Sequence, residues 1–169
     1  VLIEALSRIS VPFECAIIGD GNFKGYCQVL AQRLQIADHI HFTGFLPQTE
    51  IRNYYREATV AVMSSIWPEP FGASGLEGMR YGLPVVAFNA GGIKEWLIDG
   101  HNGFLIPWMD RGCFATRVEQ LLCDKPLARQ LGENAWNLVH QAYDIPSYID
   151  GLENILLELQ GETHAKVHA

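Results

Sequence analysis

The chain has 169 residues, 49% of them apolar and 18% charged, with a formal net charge of −7 at neutral pH. That is globular usage, enough for one domain with a sizeable core, and it excludes a disordered chain. The acidic balance excludes a phosphate-backbone binder, which needs clustered Lys and Arg, so nucleic acid is not an expected partner.

Residues 1–6 are helical in pattern, with no N-cap residue and no strand before them. A doubly wound domain does not normally open inside a helix, so a domain cut from a longer polypeptide is expected. Residues 13–18 read as a strand ending at Gly19-Asp20-Gly21, followed by a helix over about 23–34. The glycines invite a dinucleotide-fold reading. That fingerprint needs a third glycine where Lys24 stands, and an acid at the end of the next strand, 40–43, where none occurs. A hydride-transferring dehydrogenase is therefore disfavoured. His39 and His41 share one face of that strand but have no third ligand nearby, so they read as polar strand-entry residues and not as a metal pair. Gly44-Phe45-Leu46-Pro47 closes the strand, and a short amphipathic helix over 49–58 carries Ile51, Tyr54 and Tyr55 on its apolar stripe.

The β-branched run 59–63 reads as a buried strand, and the segment after it is the most informative in the chain: Trp67-Pro68-Glu69-Pro70-Phe71-Gly72-Ala73-Ser74-Gly75-Leu76-Glu77. In open α/β sheets ligands bind at the C-terminal strand edge, where a glycine-containing turn into a helix offers backbone N–H groups to an anion. Phe71, Gly72 and Ala73 would supply those groups, with Glu69 and Glu77 on either side. The prolines flanking Glu69 hold it extended. Glu77 has a structural competitor, because Ser74-Gly75-Leu76-Glu77 fits a capping box with Ser74 as N-cap. A helix over 76–81 is expected.

After Gly82-Leu83-Pro84, the continuous apolar run 85–88 reads as a parallel strand covered on both faces. Gly91-Gly92 leads into a short helix holding Glu95 and Trp96, to which no catalytic role is given. The dipeptides Asp99-Gly100 and Asn102-Gly103 read as turns before a last short strand over 103–106. Helices over about 114–122, 127–143 and 147–159 follow, broken near Pro126 and Pro146. On the last, Ile149, Leu152, Ile155, Leu156 and Leu159 form a stripe that reads as core, or as a partly exposed face that promotes self-association. Residues 161–169 lack periodicity and read as a disordered tail. Cys15, Cys27, Cys113 and Cys123 have no paired spacing and read as buried reduced thiols. No apolar run reaches the ~18 residues of a membrane span, and no basic leader opens the chain, so the default location is the cytoplasm.

The pattern E-P-F-G-x-x-x-x-E at 69–77, followed by Gly82-Leu83-Pro84-Val85-Val86-Ala87 and Gly91-Gly92-Ile93-Lys94-Glu95, resembles the C-terminal nucleotide-sugar domain of the group 1 (family 4) retaining glycosyltransferases. The match spans about 2–106. The resemblance implies an α/β fold, a Rossmann-like three-layer sandwich on a parallel sheet forming the C-terminal half of a GT-B enzyme, over 1–160. It implies a nucleoside diphosphate sugar as donor and an N-terminal acceptor domain in the same polypeptide. Glu77 then bonds the ribose hydroxyls, Glu69 is the catalytic residue at the hydroxyls of the transferred sugar, and Phe71, Gly72 and Ala73 take the diphosphate. Leu76 stands among the donor-binding positions. Leu46 meets the nucleobase through its backbone or is a hydrophobic turn. Gly19 lines the donor cleft or makes a plain turn, and Gly91 and Gly92 extend the phosphate cradle or make a turn. No cofactor and no metal are expected, because no D-x-D motif occurs in the chain.

The family's Arg and Lys that contact phosphate precede its first helix and have no counterpart here, so the fragment alone is expected to be inactive. Two alternatives stand beside the transferase: a non-catalytic nucleotide-sugar-binding module and a nucleotide-sugar epimerase of the same architecture. Sugar, base and acceptor stay open, as does peripheral membrane association of the full-length protein.

Overall fold

The computed structural model describes the backbone of residues 1–143 and 145–167 and the side chains of 1–143 and 146–159. It contains two compact units, Val1–Trp136 and Asn137–Ala169.

The first unit alternates helices and strands: α1 (Leu2–Leu6), β1 (Cys15–Ile18), α2 (Lys24–Arg33), β2 (Ile40–Gly44), α3 (Gln48–Glu57), β3 (Ala61–Met63), α4 (Ala73–Arg80), β4 (Val85–Phe88), β5 (Gly103–Ile106), α5 (Arg111–Cys123) and the start of α6 (Lys125–Ala142). Pairing within the strands is parallel throughout, as the alternation requires. It divides into β1–β2 and a three-stranded sheet in the order β3-β4-β5. Every residue of β4 is buried, as expected of a strand covered on both faces. On one face Val86 and Phe88 join Phe104 and Ile106 of β5 against Phe114, Val118 and Leu121 of α5 and Ala5 of α1. α4 packs against β3 and β4. A second cluster, Ile3, Leu6, Ala31, Ile36 and Ile40, lies by the β1–β2 pair, so the short α1 supplies both cores.

Several boundaries differ from the sequence expectation for identifiable reasons. α4 starts at Ala73 and not at Leu76, because Gly72 adopts the left-handed conformation (φ 78°) as its N-cap. α5 starts at Arg111 because the Asp110 side chain accepts from the Cys113 N–H at 2.9 Å. Pro126 lies inside the first turn of α6, where a missing N–H leaves no bond unmade.

In the second unit α7 runs Ile145–Val167, with Pro146 likewise in its first turn. Helical backbone therefore replaces the disordered tail expected from residue 161, and the last two residues lie outside the described ones. The stripe of Ile149, Leu152, Ile155, Leu156 and Leu159 is exposed, so of its two readings the exposed face holds and the core does not. Cys123 is also exposed, against the expectation of burial; the other three cysteines are partly buried, and all four are free thiols.

Candidate functional site

The chain leaves β3 at Met63, turns through residues 64–72 and enters α4. Gly72 caps α4 without any side-chain cap, and its carbonyl accepts from the Gly75 N–H at 3.0 Å, so the N–H groups left without a partner within the helix are those of Ala73 and Ser74. This corrects the capping-box expectation: Ser74 lies one residue inside α4 and does not cap it. Glu69 is partly buried, and its Oε1 accepts a 2.6 Å hydrogen bond from Ser65 Oγ. A bond that short from a hydroxyl to a carboxylate fixes the carboxylate's plane and leaves Oε2 as an acceptor. Glu77, also partly buried, lies one turn into α4. Its Oε2 is 3.4 Å from the Tyr55 hydroxyl, whose ring stacks on Tyr81 with centroids 5.3 Å apart. Burial, with the Glu77 charge adding to it, pushes the Tyr55 phenol up to about 12. Tyr55 therefore stays protonated at any physiological pH, with Glu77 Oε2 and the Ser74 carbonyl oxygen both 3.4 Å from its hydroxyl as acceptors.

The turn is braced from behind by the segment after β4. The Gly92 N–H donates to the Glu69 carbonyl at 2.7 Å. A Cβ at Gly91 would collide with the Glu69 carbonyl oxygen, and one at Gly92 with that of Pro70. The two glycines thus permit close backbone approach, and the Gly92 N–H is not available to a phosphate. Gly91 has φ 64°, the left-handed backbone that a glycine turn uses. Buried Trp96 donates its indole N–H to the Phe71 carbonyl at 2.6 Å. Its ring occupies the space that a side chain at Gly75 would need, while Met63 and Ile93 crowd the space beside Gly72. Asn102 is fully buried; its Nδ2 donates to the Trp96 carbonyl and its Oδ1 accepts from the Ile98 N–H, both at 2.8 Å.

The remaining expected residues follow the ends of other strands. Gly19 (φ 126°) donates its N–H to the Gly44 carbonyl at 2.8 Å, which ties the turn after β1 to the end of β2. Leu46 lines a surface cavity with Gln28, His41, Thr43 and Tyr54. Tyr54 and Tyr55 are neighbours on α3, so this helix connects the Leu46 cavity to Glu77. Leu76 is buried in the core, and its side chain does not reach the surface of the turn. His39 packs against Phe13 with the two rings tilted by 34°, and no group of three or more His, Cys, Asp or Glu capable of holding a metal ion occurs among the described residues. A second cavity, lined by Arg8, Ser10, Thr116 and Glu119, contains none of the expected residues.

Sequence reasoning missed Ser65, Tyr55, Trp96 and Asn102 as partners of the site. Ser65 is four residues from Glu69 in an irregular turn, a spacing that implies no contact. Trp96 lies 25 residues from Phe71, and Asn102 reads as a turn former with no sign of its burial.

The family model for group 1 glycosyl transferases matches residues 1–137. Over 125 residues the chain is 40% identical to D-inositol 3-phosphate glycosyltransferase 2 of Catenulispora acidiphila, a match covering 71% of this chain and 29% of that protein. Among solved structures, Anabaena HepE in complex with UDP and glucose superposes with a TM-score of 0.85 at 26% identity, covering 93% of this chain and 44% of HepE. The C-terminal domain of a group 1 glycosyltransferase from Francisella tularensis gives 0.76 at 28% identity, over 85% of this chain and 77% of that one.

Proposed function

The chain belongs to the group 1 glycosyltransferases, and from that membership we propose that it is the donor-binding part of an enzyme that moves a hexose from a nucleoside diphosphate sugar to an acceptor, with retention and without a metal. The observation that carries the proposal is the β3–α4 turn, in which an uncapped helix start lies between two carboxylates. Anionic oxygens are favoured at such a helix start by free N–H groups and by the helix dipole. A carboxylate one turn further on, at Glu77, accepts from both vicinal ribose hydroxyls, while Tyr55 steadies it. Glu69, fastened through one oxygen to Ser65, offers the other to hydroxyls of the sugar.

As the bond between sugar and phosphate breaks, charge builds on the leaving oxygen. Donors already aimed at that oxygen lower the barrier, since they need no reorganisation during the reaction. An acceptor-holding N-terminal domain in the same polypeptide belongs to the proposal. Support for it comes from coverage, since the chain spans 29% of the Catenulispora relative and 44% of HepE. Without that domain and the phosphate-contacting Arg and Lys expected upstream, the isolated chain transfers nothing and binds donors weakly. No helix among the described residues is long and apolar enough to cross a membrane; a cytoplasmic location is part of the proposal.

The test is a ligand-observed NMR titration with UDP-, GDP- and ADP-sugars on wild type, Glu77→Ala and Glu69→Ala. One nucleotide class binds saturably, Glu77→Ala weakens it at least about tenfold through loss of charged hydrogen bonds, and Glu69→Ala weakens the sugar nucleotide more than the free diphosphate. No binding to the chain at millimolar ligand, repeated with the full-length polypeptide, would contradict the proposal.

A further inference from the structure

Gly72 presents a problem of control. It is the residue that turns the chain from the Glu69 segment into α4, at φ 78° and ψ 48°, and glycine has the widest choice of backbone conformations. The peptide between Phe71 and Gly72 can therefore rotate at low cost unless something outside the turn holds it. Trp96 is placed to do so. It is 1% exposed, and the only donor of its side chain lies 2.6 Å from the Phe71 carbonyl oxygen. The ring is fixed in turn, because Met63 and Ile93 crowd the same space beside Gly72, and Asn102 holds the Trp96 backbone through its carbonyl.

Trans geometry carries the argument one atom further. The chain has no cis peptide among its described residues, and across a trans peptide the C=O and N–H point to opposite sides. With the Phe71 carbonyl turned to the buried indole, the Gly72 N–H points away from Trp96 and the core behind it. We propose that Trp96 is a positioning residue for the donor: its indole N–H locks the Phe71–Gly72 peptide so that the Gly72 N–H is aimed at the diphosphate. Trp96 itself touches no ligand. This rests on the donor-site reading above and assigns within it which buried side chain sets the anion-binding geometry. A phenylalanine at 96 keeps an apolar ring in the site, smaller and without a donor, and frees the peptide to turn.

The experiment compares wild type and Trp96→Phe in their affinities for UDP, GDP and ADP and for the three parent nucleosides. The readout is the ratio of diphosphate to nucleoside affinity, together with the melting temperature. Wild type binds its preferred diphosphate more tightly than the nucleoside, and Trp96→Phe reduces that ratio roughly tenfold with nucleoside affinity unchanged. An unchanged ratio overturns the inference and leaves the donor site standing. A fall in both affinities in proportion to a lowered melting temperature overturns it too, since Trp96 then only supports the fold. A wild type with no preference for any diphosphate overturns the donor reading and this inference together. If Trp96→Phe does not fold, ¹⁵N spectra of the wild type decide. Saturation with the preferred diphosphate shifts the Gly72 amide while the Trp96 indole N–H stays protected from exchange, and a Gly72 amide that does not move overturns the inference.

Discussion

Glu69 and Glu77 are eight residues apart on either side of a helix start, and this nearness in sequence is what made them legible. Their partners were not. Ser65 reaches Glu69 through a turn of irregular backbone, and Tyr55 reaches Glu77 from another helix, 22 residues earlier. The capping box was a sound local rule that lost to a stronger local fact, the left-handed Gly72 two residues upstream of Ser74. At this scale the cysteines give a test. Burial pushes the Cys15 thiol up to about 11, from 9.0 in the open chain, whereas Cys123 is exposed. With a thiol-reactive disulfide reagent at pH 8, Cys123 reacts fast and Cys15 only on unfolding. The sign of the pH effect follows. Folding holds Cys15 neutral, so its contribution to stability is complete below pH 9 and is lost as pH rises toward 11, where the unfolded chain ionises first. Denaturant melts across that window show the fall, and Cys15→Ala flattens it.

The turn between β3 and α4 is positioned less by its own residues than by the segment after β4. Gly91 and Gly92 admit the Glu69–Pro70 backbone, Trp96 holds the Phe71 carbonyl, and Asn102 holds Trp96. The elements themselves were readable from periodicity, β4 as a continuous apolar run and α3 as an amphipathic helix, whereas the prolines read as breaks stand inside the first turns of α6 and α7. The bracing was not, because a buried asparagine and a turn asparagine look alike in sequence. Asn102→Ala leaves the Ile98 N–H and the Trp96 carbonyl without their partner and lowers stability by about 2–4 kcal/mol in chemical denaturation. Gly91→Ala, strained at φ 64° and in collision with Glu69, lowers the melting temperature and removes donor binding together, as shown by a thermal melt and a titration on the same sample.

For the whole molecule, alternation of helix and strand pointed to a parallel α/β architecture, and both sheets are parallel. Division into two sheets was not legible, since which strands pair depends on contacts far apart in the chain. The exposed stripe on α7 shows the same limit: periodicity marks an apolar face but not what covers it. Nor does net charge help to place the site, because backbone N–H groups at a helix start attract anions yet carry no mark in composition. The most direct measurement is therefore backbone amide mapping of the ¹⁵N-labelled chain with the tightest-binding nucleotide sugar. The largest shifts are predicted at Gly72, Ala73 and Glu77, with a second set from Gly44 to Leu46. Shifts confined to the cavity between Arg8 and Glu119, or scattered without saturation, would contradict a donor site at the β3–α4 turn.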